Sequence, residues 1–181
     1  ATPVAMLAVA IMLIAKVLDW KDILSEKGAW DAMFWMGGLV ALATALAKSG
    51  FIAWIAKLIG TAVAAADMGW VASFVLISLI YIYSHYCFAS VTARISAMYA
   101  AFVAVAAACG VPAMLVAITF GCFANLPISL THYGNGCGPV YFGAGYVSQG
   151  EWWRNGFIIT TINVVIWLTI GMTWWKFIGL Y

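Results

Sequence analysis

Residues 70–109 read WVASFVLISLIYIYSHYCFASVTARISAMYAAFVAVAAAC. Two apolar arms, Trp70–Phe88 and Ile95–Cys109, flank a short polar tip, Ser90-Val91-Thr92-Ala93-Arg94. One continuous helix would bury Arg94 and two hydroxyl side chains in lipid. A hairpin that enters and leaves on the same side would set the tip at mid-membrane in a protein-lined cavity, where non-helical backbone is tolerated. The run therefore predicts a re-entrant hairpin over 70–109.

Composition supports a membrane setting. Of 181 residues, 66% are hydrophobic, 15% aromatic and 8% charged, against about 25% charged in a typical soluble domain. So few charges cannot cover a water-soluble globule of this size. An ordinary cytosolic enzyme, a disordered chain and a polybasic nucleic-acid binder are excluded. The net charge of +2 says nothing further about partners. At roughly 20 apolar residues per spanning helix, the length allows at most about six or seven crossings. The chain begins at Ala1 with no basic region before Pro3, so no cleavable signal is read and a fragment or processed product is expected. Cys87, Cys109, Cys122 and Cys137 form no CxxC pair and stand in or beside apolar runs. They are read as small buried hydrophobes, with no disulfide and no metal.

Upstream of the hairpin, Pro3–Leu18 is almost wholly apolar. Asp19–Asp31, DWKDILSEKGAWD, holds six charges and is read as an aqueous loop. A second span covers Ala32–Ala47, with Gly37 and Gly38 for close helix approach. Phe51–Thr61 carries Phe51, Trp54, Ile55, Leu58 and Ile59 on one stripe. That suits a short helix lying in the membrane interface; a plain continuation of the second span is the other reading. Downstream, Gly110-Val111-Pro112 is a break, and Pro112–Asn125 is apolar. Leu126–Pro139, LPISLTHYGNGCGP, holds two prolines and three glycines and cannot form a regular helix. Apolar sequence returns at Val140–Val147, so 112–147 is read as a discontinuous helix. Ser148–Gly156 is read as a loop with interfacial Trp152 and Trp153, before a last span over 157–178. The fold expected is an all-α integral membrane protein of two parts. Residues 1–66 supply scaffold helices and an interfacial helix; residues 67–181 supply part of a transport domain.

Two helix interruptions close in sequence point to a binding site, because breaking a helix in lipid is costly. Half-helix N-termini offer positive dipole ends to anions, while freed carbonyls and hydroxyls suit cations. Ser90, Thr92, the N–H groups around them and Arg94 would together suit a carboxylate. Arg94 is the only charged residue between Asp67 and Glu151. Placing an arginine at the centre of a membrane costs at least about 2.5–3.5 kcal/mol, so it is a functional candidate. Snorkelling, pairing with a carbonyl, or a place in an aqueous loop are the other readings. His132 stands beside Thr131 and Asn135 in the unwound stretch and is a site candidate, or a structural partner of a freed carbonyl. His85 is read as satisfying the hairpin locally, and Tyr81, Tyr83 and Tyr86 as packing and anchoring. Gly134, Gly136 and Gly138 allow either backbone approach to a ligand or helix packing. No paired carboxylates, phosphate loop or nucleophile set is present, so no enzyme is expected.

The strings CFASVTARISAMYAAF (87–102), LTHY (130–133), VYFGAGYV (140–147) and WWKFIGLY (174–181) resemble the C-terminal part of the divalent anion/sodium symporter family. The nearest likeness is to its citrate/succinate, tartrate/succinate and plastid 2-oxoglutarate/malate exchanger branch. The resemblance implies an elevator-type carrier of two inverted repeats, each with a re-entrant hairpin and a broken helix, of which this chain carries the later part of the second. It implies a Ser-Asn-Thr signature at the hairpin tip, contacting substrate carboxylate and helping to form a sodium site. That signature falls on Ser90, Val91 and Thr92, with valine in place of asparagine. Thr131 falls at or near a further site position.

Val91 cannot supply the signature amide, and Arg94 sets a fixed cation near the same tip. Both favour sodium-independent exchange of small di- or tricarboxylates by alternating access, with no cofactor; a bound sodium is disfavoured. The substrate-binding residues expected are Ser90, Val91, Thr92, Arg94, Thr131, His132 and Asn135. The partners implied are the carboxylate, the lipid bilayer, the N-terminal half of the carrier and a second copy in a homodimer, with no nucleic acid. The membrane implied is a bacterial inner membrane or a plastid inner envelope. A sodium-coupled symporter is the principal alternative, with a channel or structural subunit behind it. Lysine and arginine count four (Lys16, Lys21, Lys27, Arg154) against three (Lys48, Lys57, Lys176) across the implied orientation, a bias too small to establish it.

Overall fold

The structure is a computed structural model and describes residues 2–181, with some side chains between residues 2 and 64 outside the description. Among the described residues every regular element is helical. The chain divides into two compact units, residues 1–35 and 36–181.

In the first unit, α1 (Thr2–Ile14) is 13 residues long, or about 20 Å at 1.5 Å per residue. It stops short of the expected Leu18 because Lys16 adopts the left-handed conformation at φ 54°. The expected loop over 19–31 is largely helical: α2 (Trp20–Ser25) forms there, and α3 (Lys27–Lys48) begins there. The Asp22 carboxylate accepts from the Asp19 N–H at 2.9 Å, closing the start of α2. Trp30 Nε1 donates to the Ile23 carbonyl at 3.1 Å and ties α3 to α2.

In the second unit, α4 (Phe51–Ala65) packs on α6 (Val91–Ala108). The face it buries is Ile52, Ala56 and Val63, whereas Phe51, Trp54 and Leu58 of the stripe read from sequence stay exposed. The helix is apolar on both faces, one for protein and one open. A Cβ on Gly60 would stand 3.0 Å from Val105 Cγ1, so the small residue sets the closeness of α4 and α6.

The core lies among α5 (Trp70–Tyr83), α6 and α7 (Ala113–Phe123). Phe74, Ile77, Phe102, Leu115 and Phe120 are fully buried there. Tyr81 stacks on Phe120 with centroids 4.6 Å apart and tilts against Phe102 at 5.7 Å. Such aromatic pairs add about 0.5–1.5 kcal/mol each beyond area burial.

Both expected interruptions are present. A 3₁₀ turn over Ser84–Cys87 and extended backbone at Phe88 and Ser90 separate α5 from α6. After α7, a 3₁₀ turn over Leu126–Ser129 and irregular chain lead to the six-residue α8 (Gly138–Gly143). The last span starts eight residues earlier than expected: α9 (Gln149–Ile166) continues through a π-helical turn at Trp167–Gly171 into α10 (Met172–Phe177). Ser148 and Glu151 cap α9 reciprocally, with the Ser148 N–H donating to the Glu151 carboxylate at 2.9 Å and the Glu151 N–H to Ser148 Oγ at 3.4 Å. This Ser-x-x-Glu signal was in the sequence, but the charges around it read as a loop.

Three stretches are long and apolar enough to cross a membrane among the described residues: Trp70–Cys87, Val91–Ala108 and Gln149–Phe177. Of the three full spans expected from sequence, only the last is among them. The two arms of the expected hairpin supply the others, each 18 residues long.

Candidate functional site

Ser90 is the N-cap of α6, its Oγ accepting from the Ala93 N–H at 3.3 Å. Val91 and Thr92 are the first helical residues, whose N–H groups have no intrahelical acceptor. Thr92 is exposed and Val91 half-buried. The tip thus presents a helix N-terminus, a site suited to negative charge.

Arg94 is fully buried, one turn into the same helix. Its guanidinium does not face the tip. Nη1 donates to the Tyr81 carbonyl at 2.9 Å, and Nη2 to the carbonyls of Phe123 at 3.2 Å and Ala124 at 2.6 Å. The plane lies 4.6 Å over the Tyr81 ring, a cation–π contact. The acceptors belong to the C-terminal ends of α5 and α7, the negative ends of two helix dipoles. One rigid fork on α6 therefore joins the C-terminal ends of α5 and α7. Of the readings open at the sequence level, this geometry is pairing with carbonyls, and both terminal nitrogens are committed to it.

The unwound stretch holds the remaining candidates. Asn135 serves its own backbone: Oδ1 accepts from the N–H groups of Cys137 and Gly138, both at 2.8 Å, and Nδ2 donates to the Ile128 carbonyl at 3.3 Å. This Asx-type turn starts α8, and it uses both polar ends of the side chain. His132 Nδ1 accepts from Trp153 Nε1 at 3.2 Å, and its ring stacks on Phe142 at 4.4 Å. A neutral imidazole that accepts at Nδ1 carries its proton at Nε2. Trp153 also packs on Tyr86 at 5.8 Å and Tyr133 at 6.2 Å. It is thus a cluster member rather than a free interfacial anchor. Thr131 is fully buried, and its Oγ1 has no hydrogen-bond partner.

The two interruptions meet through His85, Tyr86 and Arg94. Tyr133 OH donates to the Tyr86 carbonyl at 2.9 Å. A Cβ placed on Gly134 would stand 2.6 Å from His85 Nε2 and 3.0 Å from Thr131 Oγ1, so only glycine admits this approach. His85 does not satisfy the hairpin locally as expected: its ring is fully buried and neither nitrogen reaches a partner. The glycines at 138 and 156 serve packing as well. A Cβ on Gly138 would collide with the His132 carbonyl, and one on Gly156 of α9 with the Ser129 carbonyl.

Comparison with known proteins places the chain in a family. The family model described as the sodium:sulfate symporter transmembrane region matches residues 1–181. The chain belongs to the sodium:sulfate symporter family. This bears out the resemblance read from the LTHY and WWKFIGLY strings. Dicarboxylate transporter 1, chloroplastic, of Spinacia oleracea is 44% identical over 181 residues, covering 100% of this chain and 32% of that protein. The putative malate transporter YflS of Bacillus subtilis (strain 168) is 44% identical, covering 100% of this chain and 37% of that protein. Inner membrane protein YbhI of Escherichia coli (strain K12) is 35% identical over 96% of this chain and 36% of that protein. The chain therefore spans about a third of the length of these curated relatives. The family and these named transporters are carriers, not enzymes.

Proposed function

We propose that the chain is the C-terminal part of a carrier that exchanges small dicarboxylates without sodium. The observation that carries this reading is the fully buried Arg94 bonded to helix-end carbonyls of α5 and α7. Carbonyls at the ends of interrupted helices are ligands suited to a cation such as sodium. Here a covalent cation holds those at Tyr81, Phe123 and Ala124. Val91, in place of the signature asparagine, supports the same reading. The names of the spinach and Bacillus relatives support a dicarboxylate substrate, malate among them. Tricarboxylates remain within the class the resemblance implies.

Substrate carboxylate binds at the N-terminus of α6, through Ser90, Thr92 and the N–H groups of Val91 and Thr92. Arg94 acts there through its charge and by fixing the tip, not by direct contact. Residues 70–109 form the re-entrant hairpin and 112–147 the broken helix of one inverted repeat. The two move together against scaffold helices in a homodimer, in a bacterial inner membrane or plastid inner envelope. Exchange requires that the empty carrier reorient slowly. Arg94, with no acidic residue between Asp67 and Glu151 to neutralise it, supplies that barrier until a dianion binds.

The test is reconstitution of the full-length protein in liposomes, measuring labelled malate uptake with and without internal malate, each with and without sodium. Uptake that needs internal malate and ignores sodium is the expected result. Uptake into empty vesicles driven by a sodium gradient would establish the symporter instead.

A further inference from the structure

The last membrane-crossing stretch carries a groove on its exposed face, far from the interruptions in sequence. Thr169, Ile170, Thr173, Trp174 and Phe177 line it, and its volume is about 530 Å³. Their spacing, i, i+1, i+4, i+5 and i+8, keeps them on one face of the helix. The groove lies across the π-helical turn at Trp167–Gly171, a type of irregularity found frequently at functional sites. Ile170, Trp174 and Phe177 are large and exposed, and the short threonines between them leave the hollow. Trp174 stacks on Phe177 with centroids 5.7 Å apart. The opposite face is held by the protein: Trp175 is buried, and Tyr181 OH donates to the Met172 carbonyl at 3.0 Å.

The chemistry of the lining selects the occupant. Thr169 Oγ1 donates to the Val165 carbonyl at 2.7 Å, and Thr173 Oγ1 to the Thr169 carbonyl at 2.8 Å. Both hydroxyl protons are spent on the helix backbone, so the groove offers methyl groups and rings along its length. Lys176 stands at the Phe177 end, exposed and in the last turn of α10. It follows Thr173 by three residues, which sets it on the same side of the helix. Among the described residues it forms no ion pair, and Glu151 caps the opposite end of this stretch. Trp174 and Lys176 suit the head-group level of a bilayer, and Thr169 lies about 10 Å deeper at 1.5 Å per residue.

An apolar groove with one cation at its aqueous end is the complement of an amphiphile with an anionic head. A protein helix packed in the groove would bury hydrocarbon equally well but would not by itself supply an anion to Lys176. We propose that this groove binds an anionic phospholipid, with one acyl chain along Thr169–Phe177 and the phosphate on Lys176. The site does not depend on which substrate the carrier moves.

The experiment uses the full-length carrier in phosphatidylcholine vesicles that contain phosphatidylglycerol with a photoreactive diazirine in one acyl chain. Labelled peptides are located by mass spectrometry. Labelling concentrated on residues 169–177, and competed by unlabelled phosphatidylglycerol, is the expected result. Lys176→Gln should lower it about fivefold, the worth of one cation at an anionic lipid surface. Thr173→Phe, which fills the groove, should lower it as much and leave labelling elsewhere on the carrier unchanged. Lys57→Gln, at an exposed lysine of α4, should change nothing. Equal labelling by a phosphatidylcholine diazirine probe, or yields within twofold of the unaltered carrier in the folded variants, would overturn the site in favour of bulk lipid. No label at 169–177 beside strong label elsewhere would overturn it in favour of a protein segment covering the groove. Should one variant not fold, the other decides by the same readout.

Discussion

Arg94→Ala removes the fork that joins α5, α6 and α7. The Tyr81 carbonyl retains a donor in Ser84 Oγ at 2.7 Å. The carbonyls of Phe123 and Ala124 lose the donor that Arg94 supplies. Each buried polar group left unpaired costs about 1–3 kcal/mol, so two cost roughly 2–6 kcal/mol. The variant no longer buries a charge, which offsets part of this. A net loss of about 3 kcal/mol in the docking of α5 and α6 on the end of α7 is expected, roughly a hundredfold change in that equilibrium. The assay is malate exchange by the full-length carrier in liposomes, read beside the melting temperature in detergent. Exchange should fall to near background, the melting temperature should drop, and added guanidinium should restore part of both by re-entering the vacated space. Arg94→Lys should recover little, because one ammonium cannot serve two helix ends as a planar fork does. Exchange by Arg94→Ala at the unaltered rate, with unchanged melting, would refute the reasoning.

Gly156→Ala sets a methyl group against the Ser129 carbonyl, a backbone atom that cannot rotate away. Overpacking of about 1–3 kcal/mol or more should appear as a sharp loss of monodisperse protein in size-exclusion chromatography. Gly150→Ala in the same helix meets nothing within 4 Å and should leave the profile intact. Ser148→Ala deletes the cap of α9 and should cost about 1 kcal/mol, read as a lower melting temperature with exchange KM unchanged. Tyr133→Phe removes the hydrogen bond to the Tyr86 carbonyl, worth about 1 kcal/mol; faster hydrogen exchange at residues 84–88 is the expected signature. Trp153→Phe leaves the ring stack but frees His132 Nδ1, so the ¹⁵N shifts of the imidazole should move toward a mixture of tautomers.

Much of this protein was determined by its sequence alone. With so few charges and such long apolar runs, lipid is the only solvent the chain can use. Pro127, Pro139 and the glycines of 134–138 lack the N–H groups or the backbone restriction that a helix needs, so the interruption after α7 was legible by position. The break between α5 and α6 was legible through its small polar residues, as was the family through its strings. Helix starts were less legible wherever charges clustered: Asp19–Asp31 and Ser148–Gly156 look like loops, yet capping interactions begin helices inside both. What only the tertiary structure decided is the use of each polar group. Arg94 stands four residues from Ser90 in sequence, and proximity alone suggests a shared anion. The fold instead brings the ends of α5 and α7 to its guanidinium, and carbonyls bonded in the interior outcompete an open tip. Asn135 is similarly spent on its own turn, while His85, read from sequence as satisfying the hairpin locally, is fully buried against Gly134. A hydrogen bond between residues 13 or 30 apart in sequence depends on where three helices end relative to one another. That placement is set by packing among Tyr81, Phe102 and Phe120, which no local pattern encodes.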